Sequence, residues 1–237
     1  MATTNAKSPG TTSGEANSEG WYAFLLVPPT IAEFKSALLS RPDNEVLQEY
    51  VFSGDPYAFC DQPNALHNLR THLSKALSVD ENNIVIVGSA QAGFSLSPDN
   101  FPRRFSDGSD IDVAVADERL FDTVWHTLLQ WHYPRRIRLP DGDRQWMAAR
   151  RKELYWGWFV PDEIRFNGLS LPAALKPIRD CSTLWFNTFQ SLTKYPEFSK
   201  RDVNGRLYRT WDHLRLYHTE GLRQIRAVLR AQGEPQS

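Results

Sequence analysis

Two short apolar segments, about twenty residues apart, constrain the fold of this 237-residue chain more than any other feature. The first, residues 84–87, reads Ile-Val-Ile-Val and stops at Gly88 and Ser89. The second, residues 109–115, reads Ser-Asp-Ile-Asp-Val-Ala-Val. β-Branched residues dominate both segments, and turn-forming or polar residues bound them, which predicts two short buried strands.

Asp110 and Asp112 are two residues apart on the second predicted strand. Because side chains alternate between the faces of a strand, both carboxylates are expected on one face, with Ile111 and Val113 pointing into the core. Neighbouring carboxylates repel each other unless a cation or water compensates their charge. Mg²⁺ is commonly bound by one or two carboxylates together with substrate phosphates. The pair is therefore a candidate metal site.

Gly88 and Ser89 end the first predicted strand, next to the second. Glycine lets a phosphate group approach the backbone closely. The N–H groups at this bend and the Ser89 hydroxyl can donate hydrogen bonds to phosphate oxygens. A metal site on one strand beside a phosphate site on its neighbour is the arrangement that nucleotidyl transfer requires.

The ordered pattern of Gly88-Ser89, Gly93 and the Ser-Asp-Ile-Asp segment at residues 109–112 resembles the active-site signature of the DNA polymerase β-like nucleotidyltransferase superfamily. The resemblance covers residues 83–117, and the flanking segments fit it in outline. Residues 90–109 form a longer connection than in the minimal members of the superfamily. This length predicts an additional loop, around residues 97–108, that overhangs the site.

The resemblance implies an α+β fold with a mixed sheet flanked by helices. It also implies that Asp110 and Asp112 bind two Mg²⁺ ions, and that Gly88 and Ser89 contact the terminal phosphates of a nucleoside triphosphate such as ATP. The metal ions would stabilise the attacking and leaving oxygens of an in-line displacement.

A third carboxylate on a later strand completes the site in the superfamily, and the sequence offers no clear equivalent. Asp162, or its neighbour Glu163, is the best candidate because apolar residues flank it and a predicted helix precedes it. Asp180 is a weaker candidate because its surroundings predict a helix. Arg104, with Arg103, lies in the additional loop and is the candidate cation for the triphosphate.

Apolar periodicity predicts the remaining elements and three regions. Thr30 and Glu33 form a capping-box pattern at the start of the first helix. Helices are predicted at residues 30–39, 45–51, 63–77, 118–131, 144–158, 171–189 (kinked at Pro177) and 201–231, with a strand at 159–166. The regions are a disordered tail (1–20), a nucleotidyltransferase α/β core (21–168) and a helical C-terminal region (169–237), with the substrate cleft between the last two.

Composition limits the class of protein. Lys and Arg total 27 against 28 Asp and Glu, a net charge of −1, so a surface that is basic throughout and coats nucleic acid is not indicated. The two cysteines, Cys60 and Cys181, are far apart and lack metal-ligand spacing. No apolar run reaches the length of a membrane span, and the N-terminus lacks the apolar core of a signal peptide. A cytoplasmic protein with no membrane partner is expected.

The sequence therefore predicts a Mg²⁺-dependent nucleotidyltransferase whose acceptor stays open: a protein side chain, an RNA 3′ end, another nucleotide or a small molecule. Small proteins that look like this occur in bacterial stress and phage-defence modules, and a partner protein or a homodimer is also left open. The alternative is a catalytically weak or inactive module that binds a nucleotide or a protein. The simplest alternative is an ordinary α/β domain with a solvated acidic strand end.

Overall fold

The computed structural model describes residues 29–133, 148, 150–161 and 173–233, in which helices flank one four-stranded mixed sheet. The fold is α+β, as the sequence predicts. The predicted tail at residues 1–20 lies outside the described residues, and so do the third-carboxylate candidates Asp162 and Glu163.

Helices and strands follow one another along the described chain. The helices are α1 (Ile31–Ser40), α2 (Asp43–Leu47), α3 (Pro63–Leu77), α4 (Gly88–Ala92), α5 (Glu118–His132), α6 (Lys176–Ser191) and α7 (Trp211–Gly233). The strands are β1 (Ile84–Val87), β2 (Ile111–Ala116), β3 (Trp158–Phe159) and β4 (Val203–Tyr208). Residues 150–155 are also helical. Short π or 3-10 turns lie at Gln48–Phe52, Tyr57–Phe59, Glu81–Asn83, Ala173–Leu175 and Leu192–Lys194.

The strand order in the sheet is β1-β2-β4-β3. β1 and β2 are antiparallel, β2 and β4 are parallel, and β3 is antiparallel to β4. In this register Asp112 lies opposite Val87 on one side and beside Asn204 on the other. The predicted core (21–168) and the predicted C-terminal region (169–237) thus contribute strands to the same sheet, since β4 comes from the latter.

Alternation along the strands separates two apolar cores, one on each face of the sheet. Ile84, Ile86, Val113 and Leu207 belong to the first core, with buried residues of α3, α5 and α6. Ala114 belongs to the second core, with Val87, Tyr208 and buried residues of α1, α2 and α7. Asp112, Asn204 and Arg206 project from the second face, because each alternates with residues of the first core. The predicted site therefore faces α7.

Local signals fix several helix boundaries. The hydroxyl of Thr30 accepts a hydrogen bond from the backbone N–H of Glu33, and the Glu33 carboxylate accepts one from the backbone N–H of Thr30 at 2.7 Å. The predicted capping box is confirmed. Helix α3 has the predicted bounds, with Pro63 in its first turn, where a proline costs no hydrogen bond.

Two predictions of secondary structure are wrong. Residues 203–208 form strand β4, and the final helix begins at Trp211 instead of residue 201. Pairing with β2 over the whole of β4 outweighs the local helical tendency, and Gly205 weakens a helix at this position. The predicted kink at Pro177 is also wrong, because Pro177 lies in the first turn of α6, where it interrupts no helical hydrogen bond.

Helix α6 packs tightly against β4 at Gly205. The rings of Trp185 and Phe189 stack on each other with centroids 4.9 Å apart. A Cβ atom at Gly205 would lie 2.2 Å from Cζ of Phe189 and 2.7 Å from Cζ2 of Trp185. Glycine is therefore needed here to let the helix approach the sheet. None of the helices in the described ranges is both long and apolar enough to span a lipid bilayer.

Candidate active site

The predicted acidic pair lies at the start of β2, beside a cleft of about 1110 Å³. Asp112 lines the cleft, and its carboxylate lies on the face of the sheet that is covered by α7. Asp110 comes one residue before the strand and is not among the described residues that line the cleft, and both acids are exposed to solvent. The two acids are therefore neighbours on one strand end, with Asp112 inside the cleft and Asp110 at its outer edge.

Gly88 lies directly against the carboxylate of Asp112. Its φ is +66°, in the left-handed region that favours glycine. A Cβ atom at this position would come within 3.1 Å of Oδ2 of Asp112. The bend at Gly88 and the carboxylate of Asp112, which the sequence predicts to be neighbours, are thus in contact in the fold. Ser89 is half-buried, and it is not among the described residues that line the cleft.

Asn204 is a site residue that the sequence analysis missed. It lies beside Asp112 in the parallel pairing of β2 and β4, and its Nδ2 donates a hydrogen bond to Oδ2 of Asp110 at 3.2 Å. A side chain at this position faces the acidic pair from the neighbouring strand, which is where a third carboxylate would complete the cluster. This chain has an amide there. The local signal for this strand is too weak to separate it from the helical period that follows, and pairing with β2 decides its structure.

The pKa of Asp112 is raised above its usual value. The main cause is the surrounding protein, which displaces water from the carboxylate, and the second is the negative charge of Asp110. The positive charge of Arg206 acts in the opposite direction. A cation bound between the two acids would favour the ionised form of Asp112, so the local electrostatics favour binding of a positive ion.

The described donors fit a magnesium ion that retains water or phosphate ligands. Asp110 and Asp112 supply carboxylate oxygens, the ligand type that Mg²⁺ prefers. In the described parts of the chain, no group of three or more His, Cys, Asp or Glu side chains could hold a metal ion. Two carboxylates suit one Mg²⁺ that shares its remaining ligands with substrate phosphates. The described chain adds no further carboxylate for a second ion.

The additional loop borders the cleft through its N-terminal arm. Phe94 and Arg104 pair at its base, where the backbone N–H of Ser95 donates to the carbonyl of Arg103 at 2.8 Å. Phe101 packs on Phe34 of α1, with ring centroids 5.6 Å apart. The loop residues that line the cleft are Leu96, Ser97 and Pro98. The loop therefore borders the cleft through these three residues, and none of residues 99–108 is among the described residues that line it.

The predicted cation of this loop lies away from the cleft wall. Arg104 and Arg103 are exposed, and neither is among the described residues lining the cleft. A guanidinium group that does line the cleft belongs to Arg206 on β4. Arg206, like Asn204, lies in the segment that the sequence predicts as the start of the final helix and that forms strand β4.

Arg201 fixes the chain segment that leads into the acidic pair. Its Nη1 donates to the carbonyl oxygens of Ser106 and Ser109 at 2.7 and 3.1 Å, and its Nη2 donates to Asp107 at 3.0 Å. Its guanidinium also lies over the ring of Phe105, 4.9 Å from the centroid. These contacts hold the residues before Asp110 against the start of β4, which positions both acids.

The opposite wall of the cleft is formed by α7 and by the residues around β3. Tyr217, Gly221 and Leu222 come from α7, and Trp158 from β3. Trp156 also lines the cleft and is 58% exposed. The cleft therefore has an acidic end at β2 and an aromatic side toward β3.

Comparison of the chain with protein-family models, with curated proteins and with solved structures gave no match. Function is therefore inferred from the chemistry of the cleft and from the resemblance in residues 83–117.

Proposed function

We propose that this chain is a Mg²⁺-dependent nucleotidyltransferase of the polymerase β-like type. An acceptor oxygen attacks the α-phosphorus of a nucleoside triphosphate, the bond from this phosphorus to the bridging oxygen breaks, and pyrophosphate leaves. The acceptor keeps the nucleoside monophosphate and loses its proton to water. The observation that carries the proposal is the contact between the Gly88 bend and the Asp112 carboxylate inside a large cleft.

Each of these residues has a defined task in the proposed site. Asp110 and Asp112 hold the cation, which neutralises phosphate charge and polarises the reacting phosphoryl group when it is bound. Asn204 orients Asp110 through its hydrogen bond. Gly88 leaves room beside Asp112 for a phosphate oxygen, because a side chain there would contact the carboxylate.

The cleft matches a nucleotide in size and in lining. Its volume of about 1110 Å³ is slightly above the range of ligand pockets, which measure roughly 300–1,000 Å³. Trp156 lies on the side toward β3 and offers an exposed aromatic face to a base. Stacking of a base on such a ring contributes on the order of 1–3 kcal/mol and tolerates any base. The acidic end of the cleft then receives the phosphates.

The direct test is transfer of label from α-labelled ribonucleoside triphosphates in the presence of Mg²⁺. Acceptors are the chain itself, RNA, nucleotides and a panel of small hydroxyl compounds. The Asp112→Asn variant should lose activity by on the order of 100-fold or more, because it removes a direct cation ligand. Asp99→Asn is the matched control, since Asp99 is exposed in the additional loop and does not line the cleft. Equal transfer by both variants would contradict the proposed site.

A second candidate function is a nucleotide-binding module without turnover. It is favoured by Asn204, an amide at the position beside Asp112 where a third carboxylate would face the pair. This module would bind Mg²⁺-nucleotide by calorimetry and give no product in the transfer assay. If the wild type binds without transfer and Asn204→Asp gains transfer, the second candidate is correct. Robust transfer by the wild type removes it.

A further inference from the structure

Arg206 lies on the same face of the sheet as the acidic pair and deeper in the cleft. It pairs with Ala114 of β2, two residues after the pair of Asp112 and Asn204. Two residues of a strand span roughly 7 Å. The side chains of Arg206 and Asp112 therefore start from two successive levels of the same face of the sheet, a spacing larger than that of neighbouring phosphates, so a polyphosphate of more than one phosphate group is needed to span them.

Two aromatic rings hold the guanidinium in place. Its central carbon is 4.8 Å from the ring centroid of Trp158 and 4.7 Å from that of Tyr217. The two rings meet at 71°, so the guanidinium lies in the angle between them. Contacts of this kind restrict an arginine side chain before any ligand arrives, and they suit a planar guanidinium better than an ammonium group.

The charge of Arg206 lacks a direct carboxylate partner among the described residues. None of the ion pairs within 4 Å in the described part of the chain involves Arg206. Its Nε atom is buried and has no hydrogen-bond partner among the described residues. The hydroxyls of Tyr208 and Tyr217 interact with the guanidinium, but they are neutral. A largely buried cation without an anion is costly, and a ligand that supplies the anion removes this cost.

The other described cation that lines the cleft is already paired. Arg223 lies on α7, and its Nε is 2.8 Å from the carboxylate of Asp43. Among the described lining residues, Arg206 is thus the cation available to an anionic ligand.

We infer that Arg206 binds the phosphate tail of the nucleotide, at the opposite end of that tail from the cation held by Asp110 and Asp112; this inference rests on the proposed function. A planar guanidinium donates two parallel hydrogen bonds to a phosphate group. The role that the sequence gives to Arg104 then belongs to a residue of β4. In this arrangement two positive charges on one face of the sheet recognise the polyphosphate: the guanidinium of Arg206 and the cation held by Asp110 and Asp112.

The test is calorimetry with Mg²⁺–tripolyphosphate, a probe that has no base, and in parallel with the four ribonucleosides, which have no phosphate. Arg206→Met should weaken tripolyphosphate binding by about 10- to 100-fold, the effect of losing hydrogen bonds to a charged group. Nucleoside binding should stay unchanged. Arg206→Lys should lose less, and Arg104→Met, the matched control, should bind both probes like the wild type.

Three outcomes decide against the inference. If folded Arg206→Met binds tripolyphosphate like the wild type, the inference is wrong and the proposed function stands. If nucleoside and tripolyphosphate binding fall in parallel, Arg206 shapes the cleft and does not bind the phosphates. If the wild type binds neither tripolyphosphate nor any of the four triphosphates with Mg²⁺, the proposed function itself fails.

The inference can also be tested if the Arg206→Met variant does not fold. If circular dichroism shows that Arg206→Met is unfolded, Arg206→Lys is used alone, because it keeps the positive charge near Asp112. Selective loss of tripolyphosphate affinity by this variant, with an unchanged melting temperature, supports the inference. Unchanged affinity overturns it.

Discussion

Replacing Gly88 with alanine tests the geometry on which the proposed site depends, and the chain offers a matched control. Gly88 has φ +66° and Gly54 has φ +79°, so alanine is disfavoured by the backbone at both positions. The two sites differ in their surroundings. A Cβ at Gly88 would lie 3.1 Å from Oδ2 of Asp112, whereas a Cβ at Gly54 would meet nothing within 4 Å.

The shared backbone cost can be estimated. A residue with a Cβ atom in the left-handed region costs about 1–2 kcal/mol. For a domain of this size, 1 kcal/mol corresponds to roughly 2–4 °C in melting temperature. Gly88→Ala and Gly54→Ala should therefore both melt about 2–8 °C below the wild type. The additional contact at Gly88 displaces the Asp112 carboxylate by a few tenths of an ångström, because 3.1 Å is tighter than an ordinary contact.

Binding of Mg²⁺-nucleotide separates the two variants. Gly88→Ala should lose about 10- to 100-fold in affinity, since small displacements of a positioned group are expensive at reacting centres. Gly54→Ala should keep wild-type affinity despite its lower melting temperature. The measurements are differential scanning calorimetry and isothermal titration with Mg²⁺ and each triphosphate. If both variants bind like the wild type, Gly88 does not keep Asp112 in place for the cation, and the reasoning fails.

Two further predictions concern packing and pH. Gly205→Ala should destabilise the fold by about 1–3 kcal/mol through overpacking, because its Cβ would come within 2.2 Å of the buried ring of Phe189. Gly108→Ala, with nothing within 4 Å, should change stability by less than about 0.5 kcal/mol in the same urea titration; equal losses would refute the contact. Burial, and then the charge of Arg206, lower the pKa of His218 to about 3. The fold therefore holds His218 in its neutral form, whereas the histidine of the unfolded chain becomes protonated below about pH 6.5. The free energy of unfolding is therefore unaffected by His218 above that pH, and it falls by about 1.4 kcal/mol per pH unit as the pH drops toward 3. His218→Phe should remove this slope in urea titrations at pH 7, 6 and 5, and an unchanged slope would assign it to other groups.

The parts of the fold that the sequence predicts well are those fixed by local patterns. The bounds of β1 follow from an uninterrupted β-branched run that ends at a glycine. Helix α1 follows from the Thr30–Glu33 capping box, and α3 from Pro63 and an apolar stripe of helical period. The contact between Gly88 and Asp112 is also predictable, since adjacent antiparallel strands bring a strand end beside the start of the next strand.

Strand β4 shows what local patterns cannot supply, and it determines the chemistry of the site. Val203–Tyr208 is followed closely by a long amphipathic helix that begins at Trp211. The helical period of that helix is strong, so a prediction from sequence extends the helix into the residues before it. What makes these residues a strand is pairing with β2, about ninety positions earlier in the chain, and Gly205, which admits the stacked rings of α6. Neither is visible in a local window. Both Asn204 and Arg206 come from this strand. The misassigned segment therefore contains both the amide beside the acidic pair and the cation on the cleft floor.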